Sequence, residues 1–151
     1  MLYKVAFQER ERRSEAKERE MPSVLIEVRR QYTHDEETAI MDGVHAALRE
    51  AFRIPPSDRT VRLVVHESHR FACPPEREKP EWYTHVSIDA FDGRSIEAKR
   101  KLYRAIVNNL AALGIPKDHV VIVLREIPRE NWGIRGGRAA SDVDLGFKID
   151  V

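Results

Sequence analysis

Ile54-Pro55-Pro56-Ser57-Asp58, leading into Val61-Arg62-Leu63-Val64-Val65, has a counterpart in Ile115-Pro116-Lys117-Asp118, leading into Val120-Val121-Ile122-Val123-Leu124. In both places proline stops what precedes it, because it has no amide hydrogen to donate and disfavours helical geometry in the residue before it. In both, a short β-branched run follows, bounded by charge and suited to a strand. Upstream of each stop lies a helical pattern. Thr33-His34-Asp35-Glu36 has the form of a capping box, and Ile40, Met41, Val44, Leu48, Ala51 and Phe52 then recur at three- and four-residue spacing. In the second half Ser95 takes the capping position and Leu102, Tyr103, Ile106, Leu110 and Leu113 form the stripe. Further upstream still are two more strand-like runs, Ser23-Val24-Leu25-Ile26-Glu27-Val28 and a segment near Tyr83 to Phe91.

The register of this repetition can be checked by subtraction: cap to cap, Thr33 to Ser95, is 62 residues, and Pro55 to Pro116 is 61. The chain therefore reads as two β-α-β units, about 22–67 and 83–126, followed by an extension over 127–151, all in one domain. Right-handed crossovers with parallel strands, set side by side, predict an α/β (α+β) architecture with a four-stranded mixed sheet and both helices on one face. The other face then lacks a cover within the chain, which predicts a ring of subunits.

Composition narrows the function classes. The 151 residues are 42% hydrophobic, enough for one domain with a real core. Lysine and arginine total 26 against 25 acidic residues, so no charge excess points to nucleic acid or an anionic membrane, and any anion site is local. The single cysteine, Cys73, has no partner for an internal disulfide, and no apolar stretch has the length of a membrane helix or a secretory signal. A reducing, cytoplasmic setting is expected. Cys73, in Phe71-Ala72-Cys73-Pro74-Pro75, reads as an inert loop residue. His66-x-x-His69 has no acid or cysteine at ligand spacing, so no metal is expected, and Gly136-Gly137 lacks the longer glycine pattern and lysine of a phosphate loop and reads as a turn. Residues 1–21 form a leader dominated by the mixed-charge run Glu9 to Glu20, with little to bury, and read as lying outside the core.

The duplicated unit, the Met21-Pro22 junction, the segment Asp92-Gly93-Arg94-Ser95-Ile96-Glu97-Ala98-Lys99-Arg100, and the later Glu130-Asn131-Trp132-Gly133-Ile134-Arg135-Gly136-Gly137 and Asp144-Leu145-Gly146-Phe147-Lys148-Ile149 together resemble the tautomerase superfamily. More narrowly they resemble its 4-oxalocrotonate tautomerase and malonate semialdehyde decarboxylase-like branch. The resemblance implies a homotrimer, a small carboxylate substrate of the 2-keto or 3-keto acid class, no cofactor, and an amino-terminal proline as acid or base. Pro22 holds that position. An amino-terminal proline is a secondary amine whose proton affinity is reduced by desolvation and a nearby cation, whereas an internal proline has its lone pair tied up in an amide. The expectation is that translation starts at Met21. Read from the strand alone, Pro22 is equally a residue that starts a strand where a missing donor costs nothing.

By the same resemblance Arg94 binds the substrate carboxylate, a task suited to a planar fork of donors. Asp58 orients substrate or water, although an aspartate before a strand also serves as a turn former, as Asp118 would in the second unit. Trp132 and Ile134 form an apolar wall beside the proline, or else pack in a core. The branch's decarboxylase has a second arginine where this sequence has Asp92, which weighs against decarboxylation; Arg135, Arg29 or Arg30 are candidates to replace it. The expected activity is keto-enol tautomerisation. The alternatives are decarboxylation, hydration or dehalogenation, or a non-catalytic oligomeric scaffold in which residues 1–20 block the proline.

Overall fold

The computed structural model describes residues 2–6, 22–146 and 151. Residues 2–6 are helical, with Leu2, Tyr3 and Val5 exposed. The remainder of the charged leader, Met21 included, and residues 147–150 of the closing segment lie outside the described residues.

From Pro22 onward the order is β1 (Ser23–Val28), α1 (His34–Phe52), β2 (Thr60–Val65), β3 (Thr84–Phe91), α2 (Ile96–Ala111), β4 (Val120–Ile127) and a small hairpin, β5 (Gly133–Ile134) and β6 (Arg138–Ala139). The main sheet has the order β2-β1-β3-β4, with β1 parallel to β2, β3 parallel to β4, and β1 antiparallel to β3. This is the mixed sheet of two β-α-β units expected from the repeat.

Local chemistry explains the boundaries. Thr33 accepts from the Glu36 amide while the Glu36 carboxylate accepts from the Thr33 amide, so the capping box opens α1 as the sequence indicates. Ser95 accepts from the Ala98 amide at the start of α2. The second apolar stripe was expected to reach Leu113, but α2 ends at Ala111 and Leu113 is exposed; Gly114, at φ 94°, turns the chain toward Ile115, which is buried. β4 runs past the expected Leu124 to Ile127. Arg125 lies opposite Asp89 on β3 and its Nε donates to that carboxylate at 2.6 Å, so a charged pair extends an edge strand that hydrophobicity alone would end early.

The core lies between one sheet face and the two helices. Val24, Ile26 and Val28 of β1 and Val86, Ile88 and Ala90 of β3 meet Ile40, Val44, Leu48 and Phe52 of α1 and Leu102, Ile106 and Leu110 of α2. Strand alternation turns Leu25, Val64 and Val123 to the other face, where Val64 and Val123 are exposed. That face is not bare along its whole length. Phe91 is buried in a second small cluster with Ile134, Ala140 and Leu145, so residues 132–145 cover one end of it. Among the described residues no helix is long and apolar enough to cross a membrane.

Candidate active site

Ser23, the first residue of β1, pairs with Thr60 on β2 and with Asp89 on β3. One end of the sheet therefore holds the start of β1, the approach to β2 and the finish of β3. The pairing of Phe91 with Ile127 adds the finish of β4. With neighbouring strands about 4.8 Å apart, Pro22, Asp58, Arg94 and the segment after Ile127 are all delivered to that end. Pro22 is buried there.

Arg94 is held by two contacts of different kinds. Gly93, at φ 114°, lets the chain turn back after β3, and the Arg94 Nη1 donates to the Phe91 carbonyl at 3.1 Å. Its guanidinium carbon lies 4.6 Å from the centre of the Phe52 ring, a cation over an aromatic face at the end of α1. Only 7% of the residue is exposed. Burial pushes its pKa down to about 10, the Asp58 and Glu126 charges pull it back up, and Arg129 lowers it further. Its Nε is buried with no hydrogen-bond partner among the described residues. A buried cation with a spare donor is ready to receive an anion, since leaving that donor unmet is costly.

Asp58 is 1% exposed, and its charge is one of the two that favour the charged form of Arg94. Its amide donates to the Pro55 carbonyl at 3.0 Å, which closes the turn that Pro55 and Pro56 stiffen. Trp132 and Ile134 belong to the small second cluster. The Trp132 ring meets Phe91 edge to face at 5.4 Å and its Nε1 donates to the Ile127 carbonyl at 3.1 Å. They reach the site through Phe91, whose carbonyl anchors Arg94.

The other candidates go elsewhere. Arg29 and Arg30 follow β1 and so stand at the opposite end of the sheet, where Arg29 donates to the Ser68 and Pro80 carbonyls and to Cys73 Sγ, and Arg30 stacks on Trp82 at 4.0 Å. Neither supplies a cation to the Pro22 end of the same subunit. Arg135, at φ 47°, donates to the Asp144 carbonyl and braces the C-terminal segment. Asp118 also belongs to the far end. A hydrogen bond from His119 holds its carboxyl below the usual range. His66 pairs with Glu27, and His69 lies beside Glu67. Gly136 and Gly137 form the turn between β5 and β6.

Several neighbours of Arg94 escaped the sequence reading. Glu126, which is also paired with Lys99, and Arg129 come from the finish of β4 and the turn after it. Their signal was hidden by ending the strand at Leu124. His45 is the other addition, a histidine 4% exposed beside the apolar stripe of α1, its Nε2 3.1 Å from the Asp58 carbonyl.

Residues 58–135 match the model of the tautomerase enzyme family. A probable tautomerase of Ralstonia nicotianae is 31% identical over 52 residues, covering 34% of this chain and 74% of that protein. The 2-hydroxymuconate tautomerase of Comamonas testosteroni is 35% identical over 52 residues, covering 34% of this chain and 82% of that protein. Among solved structures, a malonate semialdehyde decarboxylase inhibited by 3-bromopropiolate superposes with a TM-score of 0.73 at 25% identity, covering 82% of this chain and 98% of the other. A fused 4-OT solved as an asymmetric trimer superposes with a TM-score of 0.71 at 16% identity, covering 80% and 97%, a likeness of fold.

Proposed function

The chain belongs to the tautomerase family, and from that premise we propose that it moves a proton at a carbon next to a carbonyl in small 2-keto or 3-keto carboxylic acids. Pro22, as an amino-terminal secondary amine, takes the proton from one position and returns it to another. Arg94 holds the substrate carboxylate and draws developing enolate charge toward itself, and Asp58 orients the substrate or a water. The observation that carries this reading is the buried Arg94 guanidinium with a spare donor, on the same sheet end as a buried Pro22 and a buried Asp58. Burial matters chemically: a site with little water strengthens each of these electrostatic contacts and keeps an amine readily deprotonated.

The mechanism requires a free nitrogen on Pro22, hence a mature chain from which residues 1–21 are missing. The same requirement allows one direct test. Protein made to begin at Pro22 and protein retaining residues 1–21 are compared for ketonisation of 2-hydroxymuconate and of the phenylpyruvate enol. Activity confined to the Pro22 form supports the reading; no activity in that form, or equal activity in both, refutes it.

Decarboxylation is the second reading, favoured by the likeness to malonate semialdehyde decarboxylase. Carbon dioxide release from malonate semialdehyde by the Pro22 form separates it from tautomerisation. The subunit is also proposed to form a homotrimer. The exposed Val64 and Val123 on the sheet face away from the helices support this, as do trimeric relatives of the same fold. A monomer in sedimentation equilibrium would remove the trimer from the model.

A further inference from the structure

We propose that His45 is the residue that positions Asp58, an inference that rests on the reading of Asp58 as a site residue. A histidine ring on a helix face otherwise filled by Val44, Ala47, Leu48, Ala51 and Phe52 is out of place unless its polar atoms are used, because a buried donor left unmet is costly. Here the Nε2 is used. It lies 3.1 Å from the Asp58 backbone carbonyl, a group that can only accept, so the Nε2 carries the hydrogen and donates.

That bond completes a two-sided grip on one residue. The Asp58 amide donates to Pro55 within the turn, and the Asp58 carbonyl is held from α1. With the backbone fixed on both sides of the Asp58 Cα, the direction in which the carboxyl leaves it is fixed as well. α1 does more than this. His45 and Phe52 are seven positions apart, two turns on one helical face and about 10 Å along the axis. Phe52 carries the Arg94 guanidinium and His45 carries Asp58. A single rigid helix therefore sets the separation of the carboxylate and the cation, and geometry of this kind must hold within about 0.5 Å for efficient proton transfer.

The test uses the chain beginning at Pro22, with His45→Leu and His45→Gln each made alone and combined with Asp58→Asn. His45→Leu fills similar space without a donor, and His45→Gln restores one. The expected result is that His45→Leu lowers kcat for ketonisation of the phenylpyruvate enol roughly tenfold to a hundredfold with little change in KM. His45→Gln recovers most of it, and His45→Leu costs nothing further once Asp58 is asparagine. An equal loss in the Asp58→Asn background, or His45→Gln no better than His45→Leu at equal Tm, overturns the proposal.

A second readout needs no activity. Long-range proton–nitrogen correlation spectra of the His45 ring should show hydrogen on Nε2, and His45→Leu should speed hydrogen exchange in the 55–60 turn. A ring protonated on Nδ1 alone refutes the positioning role. An inactive Pro22 form with the Nε2 hydrogen in place would instead sink the reaction reading while leaving the His45–Asp58 bond intact.

Discussion

The two ends of the sheet were built from the same repeat and have been finished in opposite ways. At the 62-residue offset between the helix caps, Arg94 corresponds to Tyr32 and Pro22 to Thr84; at the 61-residue offset of the proline stops, Asp58 corresponds to His119. At the Pro22 end the buried groups are a carboxylate and a guanidinium that retains an unused donor. At the other end Tyr32 packs edge to face on Trp82 at 6.2 Å, and Arg30 stacks on the same indole. His119 is buried between Asp118 and the Lys79 amide. The segment linking β2 to β3 makes the difference, for it folds over that end and is tied down by Arg29 through Ser68, Cys73 and Pro80. Duplication supplies two equivalent ends; the longer connection fills one with aromatic packing, and the other keeps a buried carboxylate together with a buried guanidinium.

The largest expected effect follows from that contrast. Arg94→Ala should lower kcat/KM for the proposed keto acids by about a hundredfold to a thousandfold, the range for removing one group that stabilises developing negative charge. Arg30→Ala, at the filled end, should leave kcat/KM within about twofold of the wild type, since it removes only a cation resting on an indole, worth roughly 1 kcal/mol of stability. Steady-state kinetics on both variants decides the matter. A loss at Arg30 as large as that at Arg94 would mean that the two ends are functionally linked, for instance across a subunit boundary. Trp82→Ala should reverse the pattern, costing about 3 kcal/mol of stability in urea denaturation, because the ring supports Tyr32, Arg30 and the turn at Gly114, while leaving kcat nearly unchanged.

How much of this was visible in the sequence depended on range. The capping box at Thr33, the stripe of α1 and the proline stops are local patterns, and the structure follows them almost residue by residue. Pro22, Asp58 and Arg94 were singled out by the family resemblance, and the strand order of the repeat then brings them to one end of the sheet. What the sequence hid were relations across strands and across long loops. Arg29 and Arg30 were near Pro22 in sequence, yet a six-residue strand carries them about 20 Å away. Arg125 and Glu126 looked like the end of a strand because the partner that steadies Arg125, Asp89, is 36 residues distant. The family match begins at residue 58, so that match rests chiefly on the second unit, whereas Pro22 and His45 lie in the first.

His45 also gives the smallest of the expected effects, and one that sharpens the comparison with His119. Burial lowers the His45 pKa below its ordinary value of 6.5, the bond to the Asp58 carbonyl works against that shift, Arg59 and Arg49 add to it, and Asp42 opposes it. In the unfolded chain the ring gains a proton as the pH falls through about 6.5, whereas the folded protein resists it. The unfolded state therefore binds more protons in that range, and the sign of the linkage is fixed: the stability held through a neutral His45 is complete above about pH 6.5 and is lost as the pH falls below it. His45→Gln cannot titrate. Its urea midpoint should lie below the wild type at pH 7.5, and the gap should narrow by pH 5, since the carboxylates common to both proteins cancel in the difference. His119→Gln, at the filled end, should also lower the urea midpoint at pH 7.5, since it removes a buried ring held by Asp118 and the Lys79 amide. Parallel wild-type and His45→Gln curves across that range would mean that His45 is not held neutral by burial.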